Sequence, residues 1–192
     1  MSKIAVFFAT GYEEIEALTV VDLCRRAKIE VDMVAVTGEG GVTGAHVTGA
    51  HVTGAHGISV AMDKVFEEVD FADYDMLVLP GGMPGTRNLE AHEGLMAQID
   101  AYYNAGKYVA AICAAPSIFG HRGMLKGKKA CCYPSFEEHL EGAEVTENPV
   151  EIAGNVITSR GMGTAMDLGL TIVELLCDEQ TADNLGKGIV YK

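Results

Sequence analysis

The sequence predicts an α/β domain with a mainly parallel sheet, helices on both faces and a β-hairpin. Three observations predict it. Short apolar runs alternate with stretches of helical periodicity along the whole chain. One of those runs ends on a cysteine and turns straight into a helix signal. Another pair flanks Gly154-Asn155, a two-residue hairpin signal.

Taken in order, Ile4–Ala9 is an uninterrupted strand. Thr10 and Glu13 have capping-box spacing, and Ile15, Leu18 and Val21 then recur at helical spacing, with Arg25 and Arg26 near the C-terminal end. Val31–Val36 is a second strand and Met76–Leu79 a third, ending in Pro80-Gly81-Gly82. Glu90–Asn104 is helical and is stopped by Gly106. Val109–Ile112 is the strand before Cys113, and Pro116 suits the first turn of the helix that follows. Val150–Ala153 and Val156–Ser159 form the hairpin, and Thr164–Leu176 is a closing helix. The 192 residues read as one domain, 1–192, with no linker.

Composition narrows the function classes. A net charge of -13 argues against nucleic acid or an anionic membrane as partner, and Lys126-Gly-Lys128-Lys129 is too short to reverse this. No apolar run approaches a membrane span. Met1–Ala9 meets Thr10-Gly-Tyr-Glu-Glu instead of a cleavage site, so it reads as a strand and not as a signal peptide. An odd set of five cysteines without a secretory signal fits a reducing, cytoplasmic setting.

Residues 43–57 repeat a five-residue unit: Thr43–Val47 and Thr48–Val52 are identical, and Thr53–Gly57 differs only at its last residue. The unit is too short and too few for a solenoid. Five is an odd step, so His46, His51 and His56 share no face of a strand, nor of a helix. The preferred reading is a lengthened hairpin made by tandem duplication. One copy pairs, the surplus ten residues extend or loop outward, and no metal is bound.

Three loops at the carboxyl ends of the strands are suspect: Thr10–Glu16, Pro80–Gly85 and Cys113–Pro116. The strand–cysteine–helix turn has the elbow geometry that Gly-x-Ser-x-Gly nucleophiles need, with Ala111 and Ala115 at the small positions. A thiol there meets helix N–H groups and a dipole, which should lower its pKa. The same pattern also fits a small core cysteine. Glu13 is explained by capping and Glu14 by the helix dipole. Glu16 lies where it can point back to the sheet end, partly desolvated, protonated and able to donate to a thiolate. The alternative is a solvated first-turn glutamate. The amides of Gly82 and Ala114 are positioned to bind an oxyanion, against the plainer reading of Pro-Gly-Gly as a tight turn.

Together, Gly11-Tyr-Glu-Glu-Ile-Glu-Ala17, Leu79-Pro-Gly-Gly82, Ala110-Ala-Ile-Cys-Ala-Ala-Pro116 and Thr158-Ser-Arg-Gly-Met-Gly-Thr164 resemble the ThiJ/PfpI superfamily, nearest the branch of the parkinsonism-associated protein deglycase. The resemblance implies a flavodoxin-like sandwich, a homodimer and a reactive, oxidation-sensitive cysteine at Cys113. It also implies a protonated glutamate at Glu16, oxyanion amides at Gly82 and Ala114, and a pocket arginine at Arg26. Tyr133-Pro134 stands where some members have His-Pro, so Tyr133 takes that pocket position, and Glu16 must carry the proton transfer. His139 does not match. Ala114 follows the cysteine where the family's proteases have histidine, and there is no distal His-x-Glu pair of a glutamine amidotransferase. The implied activity is cofactor-free conversion of a small reactive carbonyl, an α-oxoaldehyde such as methylglyoxal. The alternative is a stress protein that senses oxidation through a Cys113 sulfinate, or acts as a chaperone.

Overall fold

The computed structural model describes residues 2–36 and 50–191. Five parallel strands form the centre: β1 (Lys3–Phe8), β2 (Glu30–Ala35), a short β5 (Lys64–Val65), β6 (Met76–Leu79) and β7 (Tyr108–Ile112). The hairpin β10 (Val150–Ala153) and β11 (Val156–Ser159) turns at Gly154-Asn155. It adds β11 parallel to β7, with β10 antiparallel at the edge. The spatial order is β10-β11-β7-β6-β1-β2-β5. Its central strands follow the 2-1-3-4-5 winding of a flavodoxin-like sheet, with the switch point between β1 and β6. Two small ladders complete the strands: β3 (His51–Thr53) against β4 (Ser59–Ala61), and β8 (Lys129–Ala130) beside β9 (Glu144–Val145).

Alternation along β1 sorts the core. Ile4, Val6 and Phe8 face one layer, where α1 (Glu14–Arg26) and α5 (Ala165–Leu176) bury Ala17, Val20, Val21, Leu168 and Ile172. Ala5, Phe7 and Ala9 face the other, with Leu95 and Ile99 of α3 (Glu93–Ala105) and with Ile118 and Phe119 of α4 (Pro116–His121). Successive side chains of a strand point to opposite faces, and a strand covered on both faces must be apolar at every position. Ile4-Ala-Val-Phe-Phe8 meets that demand, and every one of these residues is fully buried.

Some elements differ from the sequence reading. The helix expected over Glu90–Asn104 is α3, which starts three residues later; a separate short helix, α2 (Gly85–Glu90), precedes it, with a break at Ala91-His92. His92 caps α3 by accepting from the Leu95 amide at 3.0 Å, a donor–acceptor role the periodicity hides. Gly106 ends α3 in the left-handed conformation, as expected. Thr10 caps nothing: the N-cap of α1 is Glu13, without a side-chain capping bond. The helix over Ala165–Leu176 is not the last, because α6 (Glu179–Gly188) follows, capped by Asp178.

Of the repeat, residues 43–49 lie outside the described residues. His51-Val-Thr53 pairs in the β3–β4 hairpin, with Val52 fully buried. The third copy also meets the loop that follows β1. Gly11 N–H donates to Thr53 O at 2.9 Å and Ala55 N–H to Tyr12 O at 2.8 Å. Deleting Thr43–Val52 would bring Val42 against Thr53 and so keep Val-Thr-Gly-Ala-His intact. Closing a loop ten residues shorter changes its entropy by less than about 1 kcal/mol. The deletion should therefore unfold cooperatively within about 4 °C of the parent by calorimetry. Loss of the cooperative transition would show that the surplus copies hold the fold.

Candidate active site

Cys113 sits where β7 ends and α4 has not begun, at φ +66. A non-glycine residue in the left-handed region is uncommon, and such strain persists only where its surroundings hold it. Here Cys113 N–H donates to Ser159 O at 3.0 Å, and Tyr133 N–H donates to Cys113 O at 2.8 Å. The elbow predicted from Val109–Pro116 is therefore present, and both neighbouring chain segments clamp it.

Glu16 meets this thiol. It lies on the first turns of α1 but is 1% exposed, because α1 starts directly over the end of the sheet. Gly81 N–H donates to Glu16 Oε2 at 2.9 Å, and the carboxyl and the thiol hydrogen-bond each other. Gly81 is glycine for want of space: a Cβ there would lie 2.5 Å from Cys113 Cβ and 2.7 Å from Glu16 Oε2. The amides of Gly82 and Ala114 both bond the Cys113 sulfur, so the two groups nominated for an oxyanion converge on the nucleophile. Gly82 holds φ +89 in the same turn.

The electrostatics correct one expectation. The Cys113 thiol is not lowered by its helix; burial pushes it up to about 12, and the adjoining Glu16 charge adds to this against the two amides. The helix α4 that follows has only six residues, too few peptide dipoles to offset burial. Burial also pushes the Glu16 carboxyl up to about 7, against its bonds from Cys113 and Gly81. A buried acid and a buried thiol in contact titrate as a pair. The first proton leaves the pair near neutrality, and the second is held far above it. Above that first step the pair carries one proton and one negative charge, the charge on the Glu16 carboxylate and the proton on sulfur.

A cavity of about 310 Å³ opens onto this pair. Glu16, Gly82, Cys113, Ala114 and Tyr133 line it, so the structure brings together five of the six nominated residues. Arg26 is the exception. It is in the last turn of α1, pairs with Asp22 at 2.7 Å and is exposed, at the end of the helix opposite Glu16. The resemblance alone had nominated it. His139 faces a neighbouring cavity of about 160 Å³ with His121 and Glu90. A groove of about 460 Å³ between α5, α6 and β10 shares no residue with the Cys113 site.

Sequence reasoning missed Glu13, Met83, Phe136, Met162 and His56, all lining the cavity. Met83 was within reach, inside the suspected Pro80–Gly85 loop. His56 was not, because nothing local links the hairpin to α1. Glu14 was assigned to the helix dipole, yet it is buried and accepts from the amides of His56 and Ile58 and from the His56 ring. Glu13, Glu14 and His56 each bring a ligating atom within 4.8 Å of the others. Among the described residues this is the group that could hold a metal ion.

A strained strand-to-helix cysteine, a buried glutamate beside it and two amides on its sulfur, on a flavodoxin-like sheet, define a cysteine-elbow α/β protein. The chain belongs to the DJ-1/PfpI family, whose model matches residues 2–175. It is 32% identical to dj-1beta of Drosophila melanogaster over 99% of this chain and 98% of that one. It is 34% identical to DJ-1 homolog B of Arabidopsis thaliana over 99% of this chain and 42% of that protein, so it spans less than half of this plant relative. A deglycase of Thermococcus kodakarensis is 32% identical over 84% of this chain and 91% of its own length. Among solved structures, that of Drosophila DJ-1beta superposes with a TM-score of 0.90 at 29% identity and full coverage of both chains. An oxidized DJ-1 of Toxoplasma gondii superposes at 0.88 with 30% identity, covering 100% of this chain and 99% of that one.

Replacing Glu16 by Gln removes the carboxylate charge but keeps the volume. Thiolate absorbance in the ultraviolet should then appear at lower pH than in the parent, because the Glu16 charge that adds to burial in holding the thiol up is gone. Iodoacetamide labelling at neutral pH should quicken by about tenfold, the worth of roughly one pKa unit. An unchanged titration and labelling rate would show that Glu16 does not govern the thiol.

Proposed function

We propose that this chain is a cofactor-free enzyme that converts α-oxoaldehydes such as methylglyoxal to hydroxy acids, with Cys113 as nucleophile. The observation that carries this reading is the convergence on one sulfur of a proton-sharing carboxyl and two backbone amides at the floor of a small cavity. The Cys113 sulfur attacks the aldehyde carbon, and the carbonyl electron pair moves to oxygen and takes a proton, giving a hemithioacetal. The Gly82 and Ala114 amides would stabilise the charge that develops on that oxygen. Glu16 removes the proton on the former aldehyde carbon, and the resulting enediol is protonated on the neighbouring carbon, leaving a thioester. Water then releases the hydroxy acid and the thiol. The net change is addition of one water, with oxidation of one carbon balanced by reduction of the next, so no external oxidant is required. A relative named as a deglycase supports carbonyl chemistry in this family.

A second reading rests on the same sulfur. The amides that bond it would equally hold the oxygens of a sulfinate, and a relative has been solved in oxidized form. Lactate production from methylglyoxal separates the two. The parent should produce it, and Cys113→Ser should lose at least about 100-fold, since an alcohol at this site has no base strong enough to replace the thiolate. A parent without lactate production, whose Cys113 is converted to sulfinate by stoichiometric peroxide, would overturn the enzymatic reading in favour of sensing.

We also propose a homodimer in the cytoplasm. All five cysteines are free thiols, which fits a reducing compartment. Ile15, Ile58 and Met162 are each more than half exposed, apolar surface that association would cover. Light scattering should return twice the chain mass at micromolar concentration, and Ile15→Glu should return one chain mass. A monomeric parent would rule the dimer out.

A further inference from the structure

The last copy of the repeat folds into a clasp around one carboxylate. Gly54 turns against the Glu14 carboxyl so closely that a Cβ at this position would overlap the carboxylate atoms. Glu14 Oε1 accepts from His56 N–H at 2.8 Å and from Ile58 N–H at 3.4 Å, while Oε2 meets His56 Nδ1 at 3.0 Å. Burial would push the Glu14 carboxyl up, but these bonds hold it below the usual range, so it is ionised and can only accept. Nδ1 of His56 therefore carries the proton of that bond, and the lone pair of the neutral ring lies on Nε2. A fixed carboxylate that orients an imidazole whose second nitrogen is open is the supporting half of a nucleophile–base arrangement. The imidazole of this half lines the same cavity as Cys113.

We propose that His56, oriented by Glu14, is a catalytic general base of the Cys113 site and activates the water that releases the acyl group from sulfur. Nε2 takes a proton as the water oxygen bonds to the thioester carbon. The carbon–sulfur bond breaks with its electron pair going to Cys113, and the proton on His56 returns to the sulfur–Glu16 pair. The division of labour follows from depth. Glu16 is buried against sulfur and serves the inner proton transfers, whereas His56 stands at the mouth, its side chain 66% exposed, where water enters. Glu14 is a positioning residue. The groups facing His56 are Glu13 and Glu14 on α1 and, across the cavity, Glu16, Cys113 and Tyr133.

This inference rests on Cys113 as nucleophile but not on the oxoaldehyde substrate, so its test uses another acyl donor. p-Nitrophenyl acetate acylates a reactive thiol with release of nitrophenolate. A burst then reports acylation of Cys113, and the slow phase reports attack by water. His56→Gln should keep the burst and slow the second phase by about 100-fold, the usual worth of a general base. Added imidazole should restore part of that rate to His56→Ala. In the parent, the second phase should rise with pH through a midpoint above the ordinary imidazole value, because the bond to Glu14 favours the charged ring. Glu14→Gln should lower that midpoint, which a titration of Glu16 would not do. A His56→Gln slow phase within threefold of the parent, or no rescue by imidazole, overturns the proposal. A His56-dependent slow phase without lactate from methylglyoxal would uphold it and sink only the substrate reading. No acyl-enzyme on Cys113 in the parent would sink both.

Discussion

The contact between the buried Glu16 carboxyl and the Cys113 sulfur is the constraint to which the surrounding structure is fitted. Neither group would stay charged alone at that depth, and side by side they carry one negative charge between them. The contact needs α1 to start over the carboxyl end of the sheet. It needs the β6 turn to pass between the two groups without a side chain, and β7 to stop on a residue with its φ reversed. The switch point of the sheet supplies all three, because the loops after β1 and β6 diverge there and the one after β7 is next in line.

Around that contact, charge is managed by backbone more than by side chains. Amides of Gly81 and Met162 bond the Glu16 carboxyl, amides of Gly82 and Ala114 bond the sulfur, and amides of His56 and Ile58 bond Glu14. No arginine or lysine lines the cavity among the described residues. Amides held by secondary structure cannot swing away and need no reorganisation as charge develops. A chain with a net charge of -13 thereby keeps anionic groups close together without importing cations.

Much of this could be read from the sequence, for identifiable reasons. Ile4–Phe8 and Val109–Ile112 are apolar at every position, which only a strand buried on both faces requires, and Pro116 sets the start of a helix just past Cys113. Glu16 stood out as a carboxylate among Ile15, Ala17 and Leu18. The failures share another cause. The Cys113 thiol was expected to be low from its local turn, but its ionisation is set by burial and by Glu16, and burial is a property of the assembled sheet. Glu14 looked like an ordinary first-turn acid until a hairpin more than 40 residues away closed on it. Arg26 was carried by resemblance alone, and a resemblance transfers position along a helix, not the end of the helix that a pocket occupies.

The reversed φ of Cys113 has a thermodynamic consequence. A side chain held at φ +66 raises the free energy of the native state by about 1–3 kcal/mol relative to a relaxed turn. That is a sizeable fraction of the 5–15 kcal/mol by which a domain is stable. The excess is present in every folded molecule, with or without substrate and at every pH. Glycine at this position would relieve the strain and stabilise the fold, but only by giving up the thiol, so at this one residue stability and chemistry pull in opposite directions.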